Sequence, residues 1–217
     1  MTQERIVFPC GKIKLEGIFY KVEPKEKAPA VVVCHPHPLY GGSMQNNVTF
    51  AIAEALVSVS IAALLFNFRG VGRSEGEYGG GLDEQEDVAA ALDWLQKQGT
   101  VNPAQLALAG YSFGAAVAFP VACADTRVKA VALISPYFEQ SHLSLLKNCK
   151  KPKLIVSGAN DEVVGADDAR EYYSVAAEPR EVALIEGADH FWGGYESRVA
   201  DFTAGFFKRL LIQDYCI

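Results

Sequence analysis

Little in this 217-residue sequence points to a metal, a membrane or a nucleic acid. The five cysteines, Cys10, Cys34, Cys123, Cys149 and Cys216, are odd in number and widely spaced, and no Cys-x-x-Cys pair occurs. That pattern excludes a zinc knuckle and a disulfide framework, and it reads as a reduced chain of the cytoplasm. Lys and Arg total 20 against 26 Asp and Glu, a net charge of −6, with no basic run. Nucleic acid is therefore not an expected partner. The longest apolar stretches, Val31–Cys34, Ile61–Phe66 and Ala115–Cys123, fall well short of the roughly 20 residues of a membrane span. The N-terminus lacks the apolar segment of a signal peptide, so neither export nor a membrane partner is expected. Only four histidines are present: His35, His37, His142 and His190. His35 and His37 share a loop that has no Cys, Asp or Glu, and no H-E-x-x-H occurs, so no metal site is expected.

What the chain does have is core-forming material. Half of its residues are hydrophobic and 21% are charged, ordinary for a globular protein. The length fits one domain over residues 1–217.

Ile6–Phe8 and Ile13–Val22 alternate apolar and polar residues and predict an antiparallel hairpin turning near Cys10-Gly11. A charged loop is expected at Glu23–Pro29. Ala30–Cys34 is a continuous apolar run, the mark of a strand buried on both faces, and Ala62–Phe68 is expected to be a second buried strand. A helix is expected between them at Met44–Ser58, capped by Ser43. Further helices are expected at Asp83–Gln98, Phe113–Ala124, His142–Cys149, Asp167–Ala176 and Ser197–Ile212. They alternate with strands at Leu106–Ala109, Val128–Ile134, Lys153–Ser157 and Arg180–Ile185. Repeated strand–helix units predict an α/β fold, a mostly parallel sheet with helices on both faces.

Gly110-Tyr111-Ser112-Phe113-Gly114 is a G-x-S-x-G sequence that follows an apolar strand and opens a helix. Such a turn lifts the serine above the strand ends and crowds its neighbours, so glycines must flank it. Ser112 is the candidate nucleophile. A serine hydroxyl needs a base to take its proton. His190 follows the last strand and so lies at the same sheet edge as Ser112. His142, with charged neighbours on a short helix, is expected on a solvated face. The acid that orients the base is expected to be Asp161, after the Lys153–Ser157 strand. Glu162 and then Glu139 are the alternatives. Asp189 adjoins His190, but adjacent side chains diverge.

Acyl transfer also needs N–H donors for a developing oxyanion. Phe113 N–H, next after the nucleophile, is one candidate. The other is sought in His35–Ser43, where Pro36 and Pro38 have no N–H. His37 is favoured and Leu39 is next. Tyr40, Tyr137, Phe191 and Trp192, with Phe113 and Phe138, are candidates for an apolar substrate pocket. Asn67–Gly76 is rich in glycine but misses the dinucleotide spacing; it reads as tight turns held by Arg69.

Gly110–Gly114, Asp161 and His190, in that order, resemble the α/β-hydrolase superfamily over essentially the whole chain. Asn67–Gly76 resembles its D/N-x-R-G-x-G-x-S segment. The His35–Ser43 loop is similar to that of compact, lidless members near the dienelactone hydrolases. The resemblance implies an eight-stranded sheet with antiparallel first strands, a Ser112–His190–Asp161 triad and no cofactor. Dienelactone hydrolases use a cysteine nucleophile where this chain has Ser112, so their substrate is not carried over. Lids in this superfamily usually follow the strand placed here at Val128–Ile134. Only the 14 residues Glu139–Pro152 separate Phe138 from the next strand, so an open site is expected. The expected function is a serine carboxylesterase with a small or short-acyl ester as partner. A thioesterase or small peptidase on the same residues, and a non-catalytic binding protein on the same fold, are the alternatives.

Overall fold

The computed structural model describes residues 2–22 and 27–212. Strands β1 (Thr2–Cys10) and β2 (Ile13–Lys21) form the N-terminal hairpin, with the tight turn at Gly11, whose φ of 57° suits a residue without a Cβ. They are followed by β3 (Ala28–Cys34), α1 (Asn47–Ser58), β4 (Ala62–Phe66), α2 (Asp83–Gln96), β5 (Val101–Tyr111) and α3 (Phe113–Ala124). The chain continues as β6 (Val128–Ile134), α4 (Gln140–Asn148), β7 (Lys153–Gly158), α5 (Ala166–Val175), β8 (Arg180–Ile185) and α6 (Glu196–Leu211). Most of the loop expected at Glu23–Pro29 lies outside the described residues, as does Cys216; Ala28 and Pro29 already belong to β3.

The strands form one eight-stranded sheet in the order β1-β2-β4-β3-β5-β6-β7-β8. β1 and β2 run antiparallel, β2 meets β4 antiparallel, and every later pairing is parallel. This is the α/β architecture expected from the sequence.

Because side chains alternate along a strand, β3 feeds two cores at once. Val32 and Cys34 pack toward α2 and α3, while Val31 and Val33 pack toward α1 and α6. All seven residues of β3 and all five of β4 are buried, which explains their unbroken apolar sequences. Cys34 is fully buried, whereas Cys123 is only partly so.

One helix boundary differs from expectation in a way that matters for the site. Helix α1 starts at Asn47, not Met44. Asn46 is its N-cap, accepting Val48 N–H at 2.9 Å. Asn67 Oδ1 captures the Met44 N–H at 2.8 Å, and Ser43 Oγ takes the Gln45 N–H. These side-chain acceptors satisfy donors that helix would otherwise claim, so residues 43–46 stay in the loop.

Candidate active site

Ser112 stands at the carboxyl end of β5, between the strand and α3. Its φ of 54° and ψ of −117° lie where an L-residue is strained. The turn is pinned by Ser112 N–H donating to Ile134 O at 2.8 Å. A Cβ on Gly110 would fall 2.3 Å from the Gly114 carbonyl oxygen, and one on Gly114 would fall 2.4 Å from that of Cys34. Both glycines are therefore required by backbone contact.

The structure brings Ser112, His190 and Asp161 together. His190 Nε2 lies 3.0 Å from Ser112 Oγ, and its Nδ1 lies 2.9 Å from Asp161 Oδ2. Ionised Asp161 can only accept, so Nδ1 carries the proton and Nε2 is left to receive the serine hydroxyl. Burial pushes the Asp161 carboxyl up, but the bonds from His190 and Val164 N–H outweigh it, and the net shift is downward. Tyr111 O–H donates to the His190 carbonyl at 2.6 Å and fixes the backbone beneath the ring.

Glu162 is exposed and makes no bond to His190, and two further acids are occupied elsewhere. Asp189 Oδ1 accepts the N–H groups of Phe191 and Trp192, turned away from the ring beside it. Glu139 caps α4 in a reciprocal pair with His142. His142 is not a solvated face residue as expected. Its Nδ1 accepts Glu139 N–H, its Nε2 lies 3.1 Å from Ala116 O, and its ring stacks on Phe138.

Beside Ser112, the Phe113 N–H is the first of α3 and has no helical partner. Across from it lies the 3-10 turn Pro38–Tyr40. The Leu39 N–H is taken by His37 Nδ1 and the Tyr40 N–H by the His37 carbonyl, whereas the His37 N–H has no partner among the described residues. The His37 ring donates through Nε2 to Tyr78 Oη at 3.2 Å and packs on Phe113. His35 lies beneath the site, fully buried. Its Nδ1 meets Pro36 O and its Nε2 accepts Phe68 N–H, so both ring nitrogens are engaged. Burial pushes its pKa down to about 4, with the Pro36 bond opposing, which keeps the ring neutral.

A cavity of about 650 Å³ opens over Ser112 and His190. Tyr40, Tyr137, Phe113 and Phe191 line it, and among the described residues no Lys, Arg, Asp or Glu does. Asn46 and Val163 are added to the lining, without any signal in the sequence. Trp192 is a correction. Its φ of 60° reverses the chain after Phe191, so Phe191 stays exposed while Trp192 turns inward and is fully buried, with Nε1–H donating to Ser135 Oγ. Phe138 also leaves the pocket, packing on Phe119, His142 and Tyr172.

The loops around the cavity are held by buried polar groups. Arg69 bonds Asp87 through Nε and Nη2 at 3.0 and 2.8 Å, and its own N–H reaches Asp87 Oδ2. Glu84, fully buried, accepts the N–H groups of Gly79 and Gly81, which sets Tyr78 against His37. The sequence indicated Arg69 alone. The acids face it only because α2 packs under the loop, and their one visible sign is the acidic start of that helix.

Comparison with known proteins agrees with this fold. The model of the X-Pro dipeptidyl-peptidase (S15) family matches residues 20–143, and a PET hydrolase-like model matches residues 83–216. An uncharacterized protein of Rickettsia prowazekii is 36% identical over 196 residues, covering 87% of this chain and 82% of that one. The structure of an alpha-beta serine hydrolase homologue from Coxiella burnetii superposes with a TM-score of 0.85 at 33% identity, covering 94% of this chain and 97% of that one. A serine hydrolase without lid from Xanthomonas campestris gives 0.83 at 26% identity, covering 98% and 97%. The chain belongs to the α/β-hydrolase superfamily. It is a serine hydrolase of that fold, and among the described residues no helix is long and apolar enough to cross a membrane.

Proposed function

We propose that this hydrolase is a carboxylesterase acting on small, uncharged esters through an acyl-enzyme. Ser112 Oγ attacks the ester carbonyl carbon while His190 Nε2 takes its proton. Asp161 holds the imidazole in the required tautomer and stabilises its charged form. The N–H groups of Phe113 and His37 receive the oxyanion, since the Leu39 N–H is already engaged. The proton on His190 passes to the leaving alcohol, and a water activated by the same nitrogen then releases the acid.

The observation that carries this reading is the hydrogen-bonded line Ser112–His190–Asp161 opening on a cavity that no Lys, Arg, Asp or Glu lines among the described residues. A peptide terminus or a phosphorylated thioester carrier would meet no opposite charge there, whereas a neutral ester needs none. The match to a peptidase family keeps a small peptidase as the second reading. Purified protein is expected to hydrolyse p-nitrophenyl acetate and take a fluorophosphonate on Ser112, and Ser112→Ala is expected to lose both. Unchanged hydrolysis by Ser112→Ala overturns the mechanism. Faster turnover of an anilide than of the matched ester favours the peptidase, and no labelling favours a binding protein.

A further inference from the structure

The two N–H groups proposed to receive the oxyanion belong to different segments. Phe113 opens α3, and His37 stands in the loop after β3. What joins them is side-chain contact: the two rings pack with their centroids 4.8 Å apart. Tyr78, from the loop between β4 and α2, completes the group. Its ring lies 5.2 Å from that of His37 and 5.8 Å from that of Phe113.

His37 is held through every polar group but one. Its carbonyl accepts Tyr40 N–H at 3.1 Å and Gly42 N–H at 3.0 Å. A Cβ on Gly42 would collide with the Pro36 carbonyl, so the turn closes tightly only with glycine there. Leu39 N–H donates to His37 Nδ1 at 3.2 Å. A neutral imidazole has one acceptor nitrogen and one donor, so the proton sits on Nε2 and is given to Tyr78 Oη at 3.2 Å. Burial pushes the His37 pKa down, with Glu84 opposing, and this keeps the ring neutral at pH 7. Tyr78 is fixed in turn by the residues that follow it. Gly79 N–H and Gly81 N–H donate to the two oxygens of buried Glu84 at 2.8 and 2.7 Å. The His37 N–H alone is left without a partner among the described residues.

We infer that Tyr78 is a positioning residue for the oxyanion donors: through the His37 ring it holds the His37 N–H at a fixed distance from the Phe113 N–H. The inference rests on the proposed roles of Ser112 and of those two N–H groups. Such donors stabilise the transition state because they are in place before charge develops. A donor carried on a loop keeps its place only if its own side chain is locked. A packing role for Tyr78 asks only that its ring be covered. The brace asks more, that loss of its hydroxyl be felt where a tetrahedral anion binds.

The test compares two ketones of one carbon skeleton. Ser112 Oγ adds to the carbonyl carbon of a trifluoromethyl ketone, His190 takes the hydroxyl proton, and the carbonyl electron pair moves onto oxygen as an oxyanion. The matching methyl ketone binds with its carbonyl intact. Inhibition by each, and kcat/KM for p-nitrophenyl acetate, are measured for wild type, Tyr78→Phe, His37→Ala and the double variant. Tyr78→Phe keeps the ring and removes the hydroxyl, and Tyr78 does not line the cavity. His37→Ala keeps the backbone N–H and removes the ring.

Tyr78→Phe is expected to weaken the trifluoromethyl ketone about fivefold, as loss of one hydrogen bond does. His37→Ala weakens it about thirtyfold, short of the ~100-fold loss on removing a donor outright. In both, kcat/KM falls by the same factor while the methyl ketone changes by less than about twofold. The double variant is no worse than His37→Ala, because the hydroxyl acts through that ring. Equal weakening of the two ketones, an unmoved trifluoromethyl ketone in Tyr78→Phe, or losses that multiply overturns the brace. If His37→Ala does not fold, Tyr78→Phe decides alone. Failure of the underlying reading shows separately and in other proteins: the two ketones then bind wild type alike, or activity survives Ser112→Ala.

Discussion

Asp161 meets His190 Nδ1 at 2.9 Å across 29 residues of chain, while Asp189, the immediate neighbour of His190, points the other way. Separation in sequence is what makes the contact possible, because β7 and β8 are adjacent parallel strands whose following loops rise side by side. The two aspartates therefore differ in a measurable way. Asp161→Asn is expected to keep the fold and lower kcat by ~10⁴-fold, since an amide no longer selects the working tautomer. Asp189→Asn loosens the turn that carries Phe191 and Trp192 and is expected to lower kcat by less than about tenfold. Steady-state kinetics on the pair checks this; a large loss for Asp189→Asn exchanges their roles.

Gly110 and Gly114 test the elbow as a steric object. An added methyl at either position overlaps backbone atoms that have no freedom to move, 2.3 Å from Gly114 O or 2.4 Å from Cys34 O. Gly110→Ala and Gly114→Ala are each expected to cost about 3 kcal/mol or more, read as a lower urea midpoint. Gly99→Ala, where nothing lies within 4 Å, is the control and is expected to be close to neutral.

Arg69 and Asp87 are a buried pair behind the cavity's loops and do not line the cavity itself. Burial pushes the Asp87 carboxyl up and the Arg69 bonds pull against it, so the charge depends on its partner. Arg69→Ala strands that carboxylate and is expected to cost about 3–5 kcal/mol. Arg69→Ala with Asp87→Asn is expected to recover part of the loss, measured by urea unfolding.

His35 gives the fold a pH dependence. Its folded pKa is about 4 against an ordinary 6.5, lowered by burial. Below 6.5 the unfolded chain takes a proton that the folded chain refuses, so stability falls as pH drops toward 4. The loss reaches about 3 kcal/mol at most. Thermal melts across that window are expected to show a declining Tm for wild type and a flatter curve for His35→Asn.

The sheet was legible because buried parallel strands are written as unbroken apolar runs, Val31–Cys34 and Leu64–Phe66 among them. Ser112, Asp161 and His190 could be nominated from the sequence because each follows a recognisable strand, β5, β7 and the more exposed edge strand β8. The misread residues share a different cause. Trp192, Phe138 and His142 sit in or beside loops, where no period tells inside from outside. For Trp192 one backbone angle decides the matter, and for His142 the deciding partners are Glu139 N–H and Ala116 O. The late start of α1 depends on Asn67, a residue on another loop. Contacts of that kind become visible only once the strands are assembled.

The uncharged cavity also bears on how a turnover ends. On the proposed reaction an ester enters neutral and its acid leaves as an anion. Among the described residues no Lys or Arg lines the cavity to detain that anion, and the chain carries a net charge of −6. The spent acid is repelled by the same surroundings that admitted its ester, so the site clears itself for the next molecule.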